Sequence, residues 1–472
     1  MKRRVLAGLA TAAAVVAAAT PAAAGTASPN DYFFVTGDDQ WALTGQPASI
    51  NAPRAWPIAT GYGVLVADVD TGADFGHPDL AGKLVVGARF TSCNGAVTGS
   101  SQASVQDDVG HGSMTTGIMA ADTDNVQGIA AVAPDARALV IKVLSRVVKT
   151  NPITGQTSPT GQGCDNDVAA GIDYAVAHGA KVINLSIGSD VPLTGTTSEM
   201  VSAIQRAMNA DVAVAVAAGN NSLPVSDYAT IGNGALVVGA LAPNGNTAWY
   251  STNLVGVNVY APGGDHTYSK DIHGLVVSTN WPDPAYINSQ YAAGEGTSFA
   301  APQAAGVLAL LRSCGMGGRA AVSRVISVAN AHNGQVDAGA SLAGLSGCAV
   351  PPGASAGGGG GPTPQHSGGG TFSRPAATAP SGSSAQGGAA ATAAATTQPG
   401  RSATPGQGAV LTPGEGSSGS GRTVPPPAAS PAAPGGSPSP VLLVALLGGL
   451  VVLGAPLGRS VIMRLRRPRG PA

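Results

Sequence analysis

Aromatic residues are scarce in this 472-residue chain: Trp, Tyr and Phe make up 4% of it, and after Cys348 only Phe372 remains. A stretch without aromatics cannot bury enough apolar surface to offset its chain entropy, which excludes the last quarter as a packed domain. Charge is thin as well, at 10%. Basic clusters are missing from the middle of the chain, where residues 25–350 hold 24 Asp and Glu against 13 Lys and Arg. Nucleic-acid phosphates require clustered Lys and Arg, so nucleic acid is excluded as a partner. Cysteine is limited to Cys93, Cys164, Cys314 and Cys348, with no Cys-x-x-Cys spacing, which argues against a zinc site.

Glycine and proline are plentiful, 68 and 35 residues, and they crowd the C-terminal quarter. The two ends carry membrane-directed patterns. Residues 1–24 begin Lys2-Arg3-Arg4, run through a short apolar stretch and end Ala22-Ala23-Ala24; that order of parts is a secretory signal peptide. Residues 441–457 carry no charge, and at 1.5 Å per residue the stretch to Met463 is long enough to cross ~30 Å of hydrocarbon. Arg459, Arg464, Arg466, Arg467 and Arg469 follow it, which puts the C-terminus in the cytoplasm and the preceding domain outside the cell. The expected organisation is a signal peptide at 1–24, an N-terminal extension at 25–50 and one folded domain at 51–350. A Gly/Pro/Ala/Ser-rich linker at 351–438, a membrane helix at 439–458 and a basic tail at 459–472 complete it. An even cysteine count in an exported domain suggests two disulfides. Of three connectivities, Cys93–Cys164 with Cys314–Cys348 is favoured. The second bridge would contribute roughly 3–4 kcal/mol through loop entropy.

Apolar runs without alternation recur at 63–69, 137–144, 181–187, 212–218 and 235–241. Short continuous runs of this kind read as strands buried on both faces. Between them, 167–178 and 198–209 show helical spacing. The fold expected is α/β, three-layer, a mostly parallel sheet with helices on both faces. Ligands of such sheets bind outside the carboxyl ends of the strands.

The chemistry-bearing residues fall at those ends. Asp70 closes the first run in Asp68-Val69-Asp70-Thr71-Gly72, His111 lies in Gly110-His111-Gly112-Ser113, and Asn220 ends Ala217-Ala218-Gly219-Asn220. Ser298 lies in Gly296-Thr297-Ser298-Phe299-Ala300-Ala301-Pro302. A nucleophile, a base near neutrality, an acid to hold that base and a side-chain amide for an oxyanion are the parts that amide hydrolysis needs.

The order Asp, His, Ser and the motifs around them resemble the subtilisin-like serine proteases, the subtilases, over residues 29–330. The resemblance implies an acyl-enzyme peptide hydrolase acting on polypeptide, with no cofactor required for the chemistry. It implies substrate-binding roles for Ser186, Ile187, Gly188 and Gly219. Asn30-Asp31-Tyr32-Phe33 resembles the thermitase branch, and with it comes a structural calcium ion held by Asp31, Asp79, Asp122, Asp124 and Asn125. Departures from the pattern include Ser113-Met114 after His111-Gly112, Phe299 after the nucleophile, and two acids. Glu295 adds a charge three residues before Ser298, near the leaving-group side. Asp68, two residues before Asp70, shares its face where the family has an apolar side chain, so it is expected to be protonated or held by an internal donor. Signal, protease, Pro-rich linker, membrane helix and basic tail together resemble the mycosins, membrane-anchored subtilases of type VII secretion systems. The alternatives to a general tethered protease are therefore a mycosin-like component with secretion-complex partners, or a scaffold stabilising a membrane complex.

Overall fold

A computed structural model of the chain describes residues 28–349 and 351, except 37, 46, 151–154, 156, 189–197, 227, 271, 284 and 286–288. The expected signal peptide, linker, membrane helix and basic tail lie outside the described residues. Among the described residues no helix is long and apolar enough to cross a membrane.

Eleven strands are formed among these residues: β1 (Leu65–Asp70), β2 (Leu84–Arg89), β3 (Arg137–Lys142), β4 (Ser145–Thr150), β5 (Thr157–Gln162), β6 (Val182–Leu185), β7 (Ala213–Ala217), β8 (Leu236–Leu241), β9 (Val259–Pro262), β10 (Val276–Thr279) and β11 (Tyr291–Gly294). The α-helices are α1 (Tyr32–Val35), α2 (Ala52–Ala55), α3 (Gln102–Val105), α4 (His111–Ala120), α5 (Asp165–Ala177), α6 (Ser198–Asn209), α7 (Thr297–Ser313), α8 (Gly318–Ala331) and α9 (Ala338–Leu342). Seven strands form one sheet in the order β2-β3-β1-β6-β7-β8-β9, and every pairing in it is parallel. The three-layer α/β expectation holds. Two hairpins, β4–β5 and β10–β11, stand outside the sheet.

Strand parity sorts the side chains into two layers. Ala67, Val69, Ile183, Leu185, Val214 and Val216 pack with Ile172 of α5 and Ile204 of α6. Val66, Val182, Ala213 and Ala215 face the other way, against Met114 and Ile118 of α4 and the length of α7. Asp68, Asp70 and Asn184 share that second parity, so the polar residues of the sheet point at α4 and α7. Helix α7 is buried on all sides except at Arg312, as its all-round apolar sequence requires. Chain order reverses beside β1, which has β3 on one flank and β6 on the other. The crevice at their carboxyl ends is where the site lies.

The segment expected as an extension is part of the core. Trp41, Leu43 and Ile50 are buried in the α7-side cluster, and Trp41 Nε1 donates to Leu275 O at 2.9 Å. The Ile50 carbonyl accepts from Ala338 N–H at 2.7 Å. The disulfides join Cys93 to Cys164 and Cys314 to Cys348. The second fixes the end of α7 to the last described segment. Trp41→Ala is expected to cost about 3–5 kcal/mol of unfolding free energy by the cavity it opens. Denaturant unfolding checks this, and a loss under about 1 kcal/mol would mean the segment is only draped on the domain.

Candidate active site

Asp70 ends β1 with its carboxylate fully buried. His111 is the first residue of α4, and Gly110 caps that helix at φ 105°. Strand and helix bring His111 Nδ1 to 2.7 Å from Asp70 Oδ1, which also accepts the Thr71 N–H at 2.7 Å. An ionised carboxylate cannot donate, so the imidazole proton is assigned to Nδ1 and the lone pair to Nε2. Nε2 is buried and has no hydrogen-bond partner in the fold. Burial lowers the imidazolium pKa, but the Asp70 charge and hydrogen bond, with Asp68 and Asp107 behind, outweigh it and leave His111 above its ordinary value.

The approach of α4 to β1 is set by residues that the sequence motifs did not single out. Asp107 Oδ1 accepts Val109 N–H and Gly110 N–H at 2.9 and 3.0 Å, while Oδ2 accepts Ser113 N–H and Oγ–H at 2.9 and 2.7 Å. Thr71 Oγ donates to Asp107 at 2.9 Å and accepts Gly112 N–H at 2.8 Å. A Cβ at Gly112 would lie 2.0 Å from the Gly72 carbonyl, so only glycine permits this approach. The signal available in the sequence was an acid four residues ahead of the histidine, which alone is indistinguishable from a turn acid.

Ser298 is the second residue of α7, where backbone N–H groups have no partner within the helix. Pro302 lies four residues on and has no N–H to give the Ser298 carbonyl. Ser186 Oγ supplies the missing donor at 2.8 Å. Ser298 Oγ in turn lies 3.3 Å from the Ser186 carbonyl, its only hydrogen bond among the described residues. Catalytic hydrogen bonds are often unmade without substrate, and one rotation about χ1 re-aims a serine hydroxyl. Asn220 Oδ1 accepts Thr297 N–H at 2.8 Å and Thr297 Oγ–H at 2.7 Å. Those two donors identify the amide oxygen and turn Nδ2 to the opposite side. Thr297 was missed by the sequence reading, although it is the residue that orients Asn220.

Ser186, Ile187 and Gly188 continue from β6 along the crevice, buried, half-buried and exposed in turn. The Ile187 carbonyl is held by Tyr228 Oη at 2.7 Å. Gly219 precedes Asn220 at φ 113°, a conformation that selects glycine. Glu295 is not at the leaving-group side as a free charge. It is buried, accepting from His266 N–H and Nδ1 at 2.6 Å each. Its carboxylate anchors the loop after β9, which corrects the expectation of a charge near the leaving-group side.

Three of the five expected cation ligands come together. Asp31 and Asp79 are fully buried. Asp31 accepts the Asp124 N–H at 2.9 and 3.0 Å, and Asp79 accepts Asn125 Nδ2 at 2.8 Å and Ile129 N–H at 3.0 Å. The side chains of Asp122 and Asp124 are engaged elsewhere, with Lys83 Nζ at 3.5 Å and Asn30 N–H at 3.2 Å. Among the described residues no three acidic, His or Cys side chains converge as a metal site. Burial, then repulsion from neighbouring acids, raises Asp79 to about 6 and Asp31 above its ordinary value.

The subtilase family pattern matches residues 61–344 of the chain. Thermitase of Thermoactinomyces vulgaris is 36% identical over 288 residues, which is 61% of this chain and 86% of that protein. A thermophilic serine proteinase of Bacillus sp. (strain AK1) is 33% identical over 270 residues, 57% of each chain. Among solved structures, a protease from Pseudoalteromonas arctica PAMC 21717 superposes with a TM-score of 0.55 at 29% identity, covering 67% of this chain and 99% of that one. Thr297→Val removes one of the two donors that hold Asn220 Oδ1 while keeping the side chain's shape. It is expected to lower kcat about 3- to 30-fold with little change in KM. Steady-state kinetics on a peptide substrate check this, and an unchanged kcat would mean that Thr297 does not orient Asn220.

Proposed function

The chain belongs to the subtilase family and is a subtilisin-like serine endopeptidase, and we propose that Ser298, His111 and Asp70 carry its chemistry with Asn220 at the oxyanion. One observation carries the assignment. The buried 2.7 Å Asp70–His111 contact leaves Nε2 with a lone pair and no partner among the described residues, on a ring whose centroid lies 6.1 Å from that of Phe299, the residue after Ser298 in α7. Ser298 Oγ turns from the Ser186 carbonyl to Nε2, loses its proton there and attacks the scissile carbonyl. His111 becomes an imidazolium held by Asp70 and returns the proton to the leaving amine. Water then takes the place of the amine, and the same base activates it to release the acid. The negative oxygen of the tetrahedral intermediate is met by the Ser298 N–H, at the positive end of α7, and by Asn220 Nδ2. Ser186–Gly188 and Gly219 supply the walls along which an extended polypeptide lies as an added strand. No cofactor enters these steps.

The buried pair Asp31 and Asp79, with the carbonyls of the following loop, would suit a calcium ion, whereas Asn125 turns Nδ2 toward Asp79 and uses its Oδ1 to accept the Gln127 N–H. All the donors are hard oxygens, and a carboxylate oxygen that accepts one N–H keeps a second lone pair. Two buried acids without a cationic side chain are the charge distribution that such an ion would balance. Val126 at φ 71° is a strained conformation for a β-branched residue, and ion binding at the loop would offset that strain. Calcium there would tie α1 to the loop after α4 and so steady the helix of His111.

The location follows from the sequence patterns at both ends: export through residues 1–24, retention by 439–458, and a protease domain outside the membrane. The two disulfides suit an oxidising compartment.

Fluorophosphonate labelling of the full chain is expected for the wild type and lost in Ser298→Ala. His111→Ala is expected to label at under about 1% of the wild-type rate, and equal labelling in His111→Ala would overturn the triad. Asn220→Ala is expected to lower kcat by about 100- to 1000-fold with KM nearly unchanged, the magnitude known for the side-chain donor in subtilisin. His111 must be neutral to act as base. Activity should therefore fall as pH drops through a value above the ordinary 6.5, which a pH–rate profile of kcat/KM reads directly. A chelator should lower Tm by several degrees and calcium restore it, as for any ligand bound only by the folded state; an unmoved Tm would remove the ion.

A further inference from the structure

Beside Asp70, the α7-facing side of the sheet carries a small buried polar group that the reaction does not use. Asp68 lies in the middle of β1 and is 2% exposed. Its Oδ2 accepts hydroxyl donors from Thr115 and Thr116 of α4, each at 2.7 Å, and its Oδ1 accepts Asn184 Nδ2 of β6 at 2.9 Å. Asn184 is its register partner across the β1–β6 pairing. Asn184 Nδ2 also lies 3.0 Å from Ser186 Oγ, which donates to the Ser298 carbonyl at 2.8 Å. A buried carboxylate costs free energy wherever it is placed, and three donors from two other elements converge to offset that cost. Asp68 thus joins the helix carrying His111 directly to the strand ending in Asp70, and the backbone of Ser298 to it through Asn184 and Ser186.

We propose that Asp68 is a positioning residue for the proteolytic reaction, tying α4 and, through Asn184 and Ser186, the first turn of α7 to the strand of Asp70. The proposal rests on the triad reading above. Asp68 touches no reacting atom and acts by holding the three that do in register. A second consequence is electrostatic. Its charge adds to that of Asp70 in favouring the His111 imidazolium, the species that forms during attack.

The site is built to accept either protonation state of Asp68. Burial, then the neighbouring Asp70, raises its pKa to about 7, against the three donors that lower it. When Oδ2 is protonated, the Thr115 hydroxyl has two other acceptors, the Gly112 carbonyl at 3.1 Å and the His111 carbonyl at 3.3 Å. The charged and titratable groups around it are Asp70 on its own strand, His111 on α4 and Asp107 before α4. Lys142 on β3 is engaged with the Thr71 carbonyl and Asp108. The first turn of α7 carries no acid.

The test compares the full chain with Asp68→Val/Thr115→Val/Thr116→Val, which replaces the carboxylate and both hydroxyls by apolar groups of similar shape. Such paired removal can be nearly neutral for folding. Expected are a Tm close to wild type, kcat lower by roughly 10- to 100-fold with KM little changed, and an acid limb of kcat/KM moved to lower pH. An unchanged kcat and an unshifted limb would reduce Asp68 to a structural residue. Should the triple variant not fold, Thr116→Val removes one donor and leaves two; a smaller drop in kcat with a moved acid limb supports the proposal, and wild-type kinetics sink it. Fluorophosphonate labelling of the same wild-type sample separates the two readings. Without labelling the triad itself fails, whereas labelled wild type with an unaffected triple variant fails the Asp68 role alone.

Discussion

A helix that is apolar on every side is stable only in the middle of a protein, and Thr297–Ser313 is such a helix. Its small residues let it sit close against neighbours: a Cβ at Gly306 would lie 2.5 Å from Val132 Cβ. The sheet covers one side of it and α4, α8 and the Trp41 segment the others. Once the helix is buried there, its N-terminus has only one place to emerge, the crevice beside β6 and β7. The nucleophile, the backbone donor and the positive end of the helix arrive together because they are one object.

Burying that helix creates a deficit that the site then uses. Pro302 leaves the Ser298 carbonyl without a helical partner, and a buried carbonyl must find one. Ser186 fills the gap, so the strand end that lines the crevice is bound to the nucleophile's own backbone. Ser186 is bound in turn to Asn184, and Asn184 to Asp68. Polar groups in this interior form a connected chain, and the low local dielectric makes each link stronger than it would be in water. The geometry of attack is therefore fixed by side chains that never meet the substrate.

Where the signal was local, the sequence was legible. The apolar runs at 137–144, 181–187, 212–218 and 235–241 contain β3, β6, β7 and β8, the run at 63–69 covers β1 up to Val69, and the helical spacing at 198–209 coincides with α6. Asp70, His111, Asn220 and Ser298 each sit within a short motif, and all four fall at the ends of these elements. The β4–β5 hairpin was invisible because its exposed strands carry Lys149 and Pro159 in place of an apolar run. The Asp107, Thr71 and Thr297 contacts were invisible for another reason. Each joins residues 36 to 77 positions apart through hydroxyl and carboxylate groups common to any turn. Asp68 could be placed on the Asp70 face by parity alone, but Thr115, Thr116 and Asn184 could not be named as its donors without the packing of α4 and β6.

The N-terminal segment shows how far pattern and packing can part. Read as sequence, residues 25–50 look like a short extension ahead of the folded domain. In the fold, the described part of this segment puts Trp41, Leu43 and Ile50 into the same cluster as α7. Hydrogen bonds join Gln40, Trp41, Ala48 and Ile50 to Ala130, Leu275, Pro243 and Ala338, respectively. Removing such a segment would open a cavity beside the helix that carries Ser298, at several kcal/mol for the Trp side chain alone. The described residues of this segment therefore help to hold α7 where the sheet needs it.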